Sequence, residues 1–360
     1  MKYFYSIMAS LALMPQAYAI DGNGSIDSPY LIKSAADWSE IAAMANADEN
    51  PDNLAGKYAE LSSDIDFGNE NFTPIKSFAG SLDGKGHKLY GVKHEANTGY
   101  AGLIGVLEAE GAIANLTIEG TASAADQKNG TKVTVSAQYF GGLVGKLYGT
   151  LDNCVNAMSV TTTSAKGYAG GLAAYCYAGA KLIGCGNTGS VFAPIGSSAG
   201  RAGGIAAFAE KGVEFTRCYN EGTVGLSGTG AGNYAAGIVA EAYPCTFTDC
   251  VNEGEFEFDD AANQKSIAGI LANAMSSNSE TKKGAFVFRN CKNYSDINGL
   301  GLIAGILATY NGTYSTMEFY GCANYGDITV VSAKKNSGMT ASGIVSKILS
   351  KDAVVSGCSN

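Results

Sequence analysis

The chain has 360 residues, a formal net charge of −9, and 48 glycines against 6 prolines. No surplus of Lys and Arg is present to neutralise phosphates, which argues against nucleic acid or an anionic membrane surface as partner. The glycines are spread along a length able to bury a sizeable core, so they predict many turns rather than low-complexity disorder.

Residues 1–19 read MKYFYSIMASLALMPQAYA. One Lys precedes an apolar run, and Ala17-Tyr18-Ala19 is a small-x-small cleavage site. The segment predicts a secretory signal peptide, with the mature chain starting at Ile20. It is too short to span a bilayer, and no later stretch approaches ~20 unbroken apolar residues, so no transmembrane helix is expected in the mature chain. The protein is expected outside the cell or on a bacterial cell surface.

Residues 20–57 are read as a lead-in segment and capping helix. Ser34-Ala35-Ala36-Asp37 resembles a capping box, and Trp38, Ile41, Ala42 and Ala45 follow at helical spacing. Such a helix would cover the open edge of the body that follows. Asp21 to Asp27 begins like a calcium loop but carries Ile32 at position twelve, where Glu is needed. Asp64-Ile65-Asp66 with Asn69 and Glu70 could hold Ca²⁺ in an irregular turn, but a solvated acidic turn is the favoured reading. With two histidines and no C-x-x-C pair, neither a metal nor a cofactor is expected.

Residues 58–360 carry a repeat. Seven segments end in Cys-x-Asn: LDNCVN, LIGCGN, FTRCYN, FTDCVN, FRNCKN, FYGCAN and VSGCSN. Their cysteines, Cys154 to Cys358, are 31, 33, 32, 41, 31 and 36 residues apart. Self-similarity at about 30 residues is the mark of a solenoid, each repeat being one coil. Each repeat has three apolar runs: Gly-apolar-apolar-small, as in Gly142-Leu143-Val144-Gly145; a run with a large apolar residue three before the Cys; and a run six after it. They read as three short strands per coil, stacked into a parallel β-helix. In GAIANLTIEG, Ile113 and Leu116 take the places of the large apolar residue and the Cys; in HKLYGV, Leu89 and Val92 are read the same way. The period is longest where SSNSETKKG is inserted before Cys291. The last repeat stops at Cys358-Ser359-Asn360, before its third run, so the chain is expected to be truncated there.

In-register cysteines on successive coils would stand ~4.8 Å apart and parallel, whereas a disulfide needs Cβ atoms ~3.8 Å apart with a twisted geometry. They are expected as free, buried thiols packed as small hydrophobes. Cys176 and Cys245 lie off the ladder, and their pairing is left open. The Asn two residues on suits either a left-handed turn or amide stacking from coil to coil.

Gly102-Leu103-Ile104-Gly105 and Gly142-Leu143-Val144-Gly145 resemble the GLUG motif of bacterial surface and secreted proteins. The stretch from Phe78 to Leu89 is similar to the coil preceding GLUG repeats, and Gly24 to Ile32 to their N-terminal segment. Later repeats depart, with Ala or Ser in place of the last Gly. The resemblance implies an all-β, single-stranded, right-handed parallel β-helix on an exported, adhesin-like protein, and it implies no shared catalytic residues.

Two catalytic motifs match in letters only. Gly196-Ser197-Ser198-Ala199-Gly200 has the G-x-S-x-G form, but both histidines, His87 and His94, precede it. Gly184 to Gly189 has the G-x-G-x-x-G form with no helix after it. Glu253, Glu255, Glu257 and Asp259 alternate, so a strand would place them on one face, where paired carboxylates could act as acid and base. A solvent-facing acidic strand is the simpler account, and no catalytic site is expected. Tyr139, Tyr168, Arg201 and Tyr234 each stand three residues before the repeat Gly. On a solenoid they would form one row, able either to stack on sugar rings or a protein partner, or to brace adjacent coils. The expected function is a binding or adhesion module for a glycan or cell-surface protein. The alternatives are a polysaccharide-active β-helix enzyme (lyase or glycoside hydrolase) and a passive stalk.

Overall fold

The computed structural model describes residues 20–48, 52–69, 73–93, 99–120, 132–135, 138–162, 167–195, 200–228, 233–258, 265–330, 339–350 and 352–360. Residues 1–19, read above as a signal peptide, residues 196–199, His94, Glu70 and Asp259 lie outside the described residues.

The coil from Tyr139 to Thr162 shows the plan. Its strands are Tyr139–Gly141, Val144–Leu147, Thr150–Asp152, Val155–Ala157 and Ser159–Thr162. Each joins a different parallel sheet, here numbered I to V in that order. Sheets I to V contain 8, 9, 11, 9 and 5 strands, and two further strands continue beside sheet V at Ile297–Gly299 and Ile328–Val330. All named strand pairs are parallel, so the fold is a parallel β-solenoid. The expected three strands per coil are thus five. The repeat Gly and the Cys each sit at a corner, and each corner splits an apolar run into two strands.

Two cores result. The main one lies inside sheets II, III and IV, and holds Leu143, Val144, Leu147, Leu151 and Cys154 in this coil. A second lies between sheets I and V, where Phe140 meets Val160. The solenoid is therefore a three-sided body with a two-sheet arm, and the outer faces of sheets I and II meet at an inward corner.

Rows inside the main core explain the repeat. Phe215, Phe247, Phe288 and Phe319 are fully buried in sheet III and stack at 5.1, 5.0 and 4.8 Å with interplanar angles of 5°, 6° and 3°. All nine cysteines are free, and eight of them, including Cys176 and Cys245, are buried. Each ladder thiol from Cys154 to Cys322 donates to a carbonyl of the preceding coil, as Cys218 does to Leu182 at 3.3 Å. Burial pushes the thiols of Cys176, Cys245, Cys250 and Cys291 up, which leaves them poor nucleophiles.

The asparagines form a continuous amide ladder. Asn156 Nδ2 donates to Asn187 Oδ1 at 2.7 Å, and the chain of bonds runs on through Asn220, Asn252, Asn293 and Asn324 to Asn360 at 2.8–2.9 Å. Each Nδ2 from Asn156 to Asn324 also donates to the carbonyl two residues on. The left-handed turn belongs elsewhere, to the residue before the Cys: Asn153 (φ 51°), Arg217 (53°), Asp249 (53°) and Asn290 (54°). The repeat Gly makes room for the ladder. A Cβ on Gly204 would lie 2.1 Å from Gly237 O and 2.4 Å from Asn220 Oδ1, and Gly171 and Gly269 meet Asn187 and Asn293 likewise.

Upstream the ladder gives way to aliphatics. Ile118 pairs with Asn156 and with Leu89. Leu89 therefore stands in the asparagine row, and Leu82, paired with Ile113, holds the place assigned to it in sequence. The helix runs from Ala35 to Asn46, with Ser34 as N-cap, and buries Trp38, Ile41, Ala42, Met44 and Ala45. It packs on Ile75–Phe78, the first strand of sheet II. Asn46 accepts from Lys76 N at 2.7 Å and donates to Pro74 O at 3.0 Å, pairing with that edge as a strand would. Sheet III begins before the helix, at Tyr30–Ile32, so coil pairing reaches upstream of residue 58.

Candidate functional site

The inward corner between sheets I and II carries three aligned rows of side chains. Strand alternation turns Phe140 into the arm and Tyr139 outward. Backbone register then places Tyr100, Tyr139, Tyr168, Arg201 and Tyr234 side by side on sheet I. Tyr100 and Tyr139 stack at 4.4 Å and 9°, and Tyr139 and Tyr168 lie 4.5 Å apart. The Arg201 guanidinium lies over Tyr168 at 4.5 Å and Tyr234 at 5.5 Å.

The second row, on sheet II, is Val106, Lys146, Tyr175, Phe208, Glu241 and Asn273. It faces the first: Tyr139 meets Tyr175 edge to face at 5.9 Å, and Tyr168 meets Phe208 at 6.3 Å. The third row follows the turn out of sheet II. Tyr148 and Tyr177 stack at 4.1 Å, Tyr177 lies 4.6 Å from Tyr175, and Tyr243 lies 6.1 Å from Phe208. Tyr175 donates to Glu210 Oε1 at 2.6 Å. The result is an aromatic groove along the solenoid axis.

The sequence-derived row of Tyr139, Tyr168, Arg201 and Tyr234 is brought together as one line. Sequence reasoning missed Tyr100, because its coil has one residue fewer between sheets I and II: three residues lie between Tyr100 and Ile104, but four between Tyr139 and Val144. It also missed the facing rows, although counting four and six residues past each repeat Gly would have found them.

One ion pair crosses the groove. Arg201 Nε donates to Glu241 Oε2 at 2.5 Å, with the side chains 17% and 3% exposed. Asn273 donates to the other oxygen, Glu241 Oε1, at 2.7 Å. Burial works to lower the Arg201 pKa, but the field and hydrogen bond of Glu241 outweigh it and the pKa is raised. The pair is held in place and locally neutral.

At the upstream end the groove opens into a cleft of about 390 Å³ lined by Lys76, Gly99, Tyr100, Gly102, Val106 and Lys146 among others. The Lys146 ammonium sits 4.0 Å from the centre of the Tyr100 ring.

Burial pushes the Tyr168 phenol up to about 12 and raises those of Tyr139, Tyr175 and Tyr177. The fold thus favours the neutral phenols over an unfolded chain titrating near 10. The contribution of Tyr168 to stability is present below about pH 10 and is lost as pH rises through about 12. An alkaline absorbance titration should show a late-ionising tyrosine fraction that merges into the ordinary wave on unfolding in urea. A single wave near pH 10 in the folded protein would contradict this.

The acidic strand lies on the arm, away from this corner. Phe256 and Phe258 turn toward the second core, and Glu257 stands exposed between them on sheet V; Glu253 and Glu255 are exposed in the segment before that strand. Among the described residues, no three or more His, Cys, Asp or Glu side chains group so as to hold a metal ion.

No family model matches the chain. A segment of 101 residues, 27% of this chain, is 39% identical to Halomucin from Haloquadratum walsbyi, and the match spans 1% of Halomucin. Among solved structures, a candidate immunoglobulin A1 protease from Bacteroides ovatus aligns with a TM-score of 0.50 and 17% identity, over 92% of this chain and 86% of that one. At that identity the likeness is one of fold.

Proposed function

We propose that this chain is an exported bacterial β-solenoid of the GLUG-repeat type that binds carbohydrate along the groove between sheets I and II. The single observation that carries the reading is the run of half-buried rings from Tyr100 to Tyr168, faced by Tyr175 and Phe208. Sugar rings present apolar C–H faces that pack on aromatic rings, while their hydroxyls need donors and acceptors at the rim. The half-buried Asn273 amide carries both a donor and an acceptor and Arg201, 17% exposed, adds donors, with the buried Glu241 holding the two in place. Equivalent positions recur about every 4.8 Å along a parallel stack, so the groove suits a polymer better than a compact ligand. Export rests on the signal peptide read at residues 1–19, and adhesion on the resemblance of the repeats. The name of the Bacteroides ovatus neighbour suggests a peptidase, but the buried ladder thiols suit no nucleophile and the likeness is of fold alone.

The test is a glycan-array screen of the mature chain, with each hit checked for cleavage by mass spectrometry. Intact glycan should be bound, and Tyr139→Ala or Tyr168→Ala should weaken binding by about tenfold or more, as expected of a central aromatic contact. Glu255→Gln and Glu257→Gln should bind like the wild type. A shortened glycan would replace this reading with the enzyme one. Binding indifferent to both tyrosines would move the site off the groove.

A further inference from the structure

We propose that the cleft at the upstream end of the groove is an anion subsite, so that the ligand is an acidic oligosaccharide laid with its acid group at that end. This rests on the carbohydrate reading above and adds the charge and the direction of the ligand.

Two cations line the cleft, Lys76 from the first strand of sheet II and Lys146 from its third. Neither forms an ion pair among the described residues. Farther along the groove, Arg201 is engaged by Glu241 and Lys282 lies over the Tyr243 ring at 4.2 Å. Glu108, two residues past Val106, accepts from the Ser77 hydroxyl at 2.5 Å. The chain as a whole carries a formal charge of −9, so two unpaired cations on one concave surface do not follow from a basic composition.

The geometry also joins charge to stacking. Lys146 is held over the Tyr100 ring, and that ring stacks on Tyr139 at 4.4 Å. A sugar lying on the tyrosine row would thus bring a carboxylate or sulfate substituent against an ammonium that is already placed. Ammonium groups suit this because they are point donors with three N–H directions and need no fixed fork. Downstream, the row on sheet II passes through Tyr175 and Phe208 to the compensated Glu241. The lysine pair thus marks the upstream end, while Glu210 beside Tyr175 and Lys282 beside Tyr243 stand farther down, and it is this pair that places the acid group of a chain with one acidic end.

The experiment uses the mature chain and oligosaccharides in matched sets: neutral, carboxylated and sulfated, with polyglutamate as a non-sugar anion. The acidic members should bind at least about tenfold more tightly than their neutral counterparts, the scale of one charge-assisted contact. That ratio should shrink as salt shortens the screening length. It should fall toward unity in Lys76→Gln, Lys146→Gln and the double variant, each checked for a wild-type melting curve. The carboxylated and sulfated arms tell which acid group is taken. Equal binding of neutral and acidic members, still weakened by Tyr168→Ala, would overturn the anion subsite and leave the carbohydrate reading standing. Lysine-dependent binding of polyglutamate with no glycan bound, or no glycan bound at all, would overturn both.

Discussion

Replacing Asn220 by aspartate is expected to cost about 3–5 kcal/mol at neutral pH, although the side chain keeps its size. Asn220 is fully buried, donates from Nδ2 to Asn252 Oδ1 and Gly222 O, and accepts from Asn187 Nδ2. An ionised carboxylate keeps the one acceptor role and faces two oxygens where two donated bonds stood. Each buried group left unsatisfied costs about 1–3 kcal/mol, and the charge adds its own desolvation. The loss should depend on pH. A protonated carboxyl can supply one donor, so the fold raises the variant's pKa above the ordinary value of about 3.9. Its stability is then greatest below that value and falls as pH rises through the raised one. Gly204→Ala should be comparably damaging, because the added methyl would strike Gly237 O and Asn220 Oδ1. Urea unfolding across pH is the measurement. An Asn220→Asp variant within about 0.5 kcal/mol of wild type at pH 7, the range of ordinary surface changes, would remove the ladder from the account of stability.

Phe247→Ala should cost about 3–5 kcal/mol through transfer and cavity terms. Phe247 is fully buried and stacked on Phe215 at 5.1 Å and Phe288 at 5.0 Å, so both neighbours lose a partner face. Phe247→Leu should cost far less, about 1.5 kcal/mol or under, because a smaller aliphatic can fill much of the space. Leu151 and Leu182 already hold this row upstream. A cost for Phe247→Leu as large as for Phe247→Ala would show that ring stacking, not volume, governs the row.

The coil, the thiol ladder and the helical cap were legible in sequence because each is written in strictly spaced residues. Cys-x-Asn sets the register, and Ser34 with Trp38 and Ile41 marks the helix. The five-sheet cross-section was not legible, since Gly141-Gly142 and Cys154 turn corners inside runs that look continuous. The turn role offered for the asparagines failed because the left-handed position precedes the cysteine and accepts Asn, Asp, Arg or Gly, a mixture with no visible pattern. One of the groove's three rows was readable from the tyrosines before the repeat Gly. The other two stand four and six residues past that Gly, but that they face the first row depends on two sheets meeting at an angle, which no count along a single strand shows.

The amide ladder has one more property. The spacing of successive rungs along the chain varies, 31 positions from Asn293 to Asn324 and 41 from Asn252 to Asn293, yet those rungs close at 2.8 and 2.9 Å. The extra residues go into the excursion from Met275 to Gly284, where Lys282 reaches the Tyr243 ring and Lys211 bonds Glu280 O. The ladder therefore works as a ruler that reads position along the axis and ignores path length around it. A coil slipped by one residue would present the wrong side chain to its rung, whereas a coil lengthened at a turn keeps every rung. Such a chain can gain or lose surface loops coil by coil without re-registering its interior, so its outer face is free to diversify while its axis stays fixed.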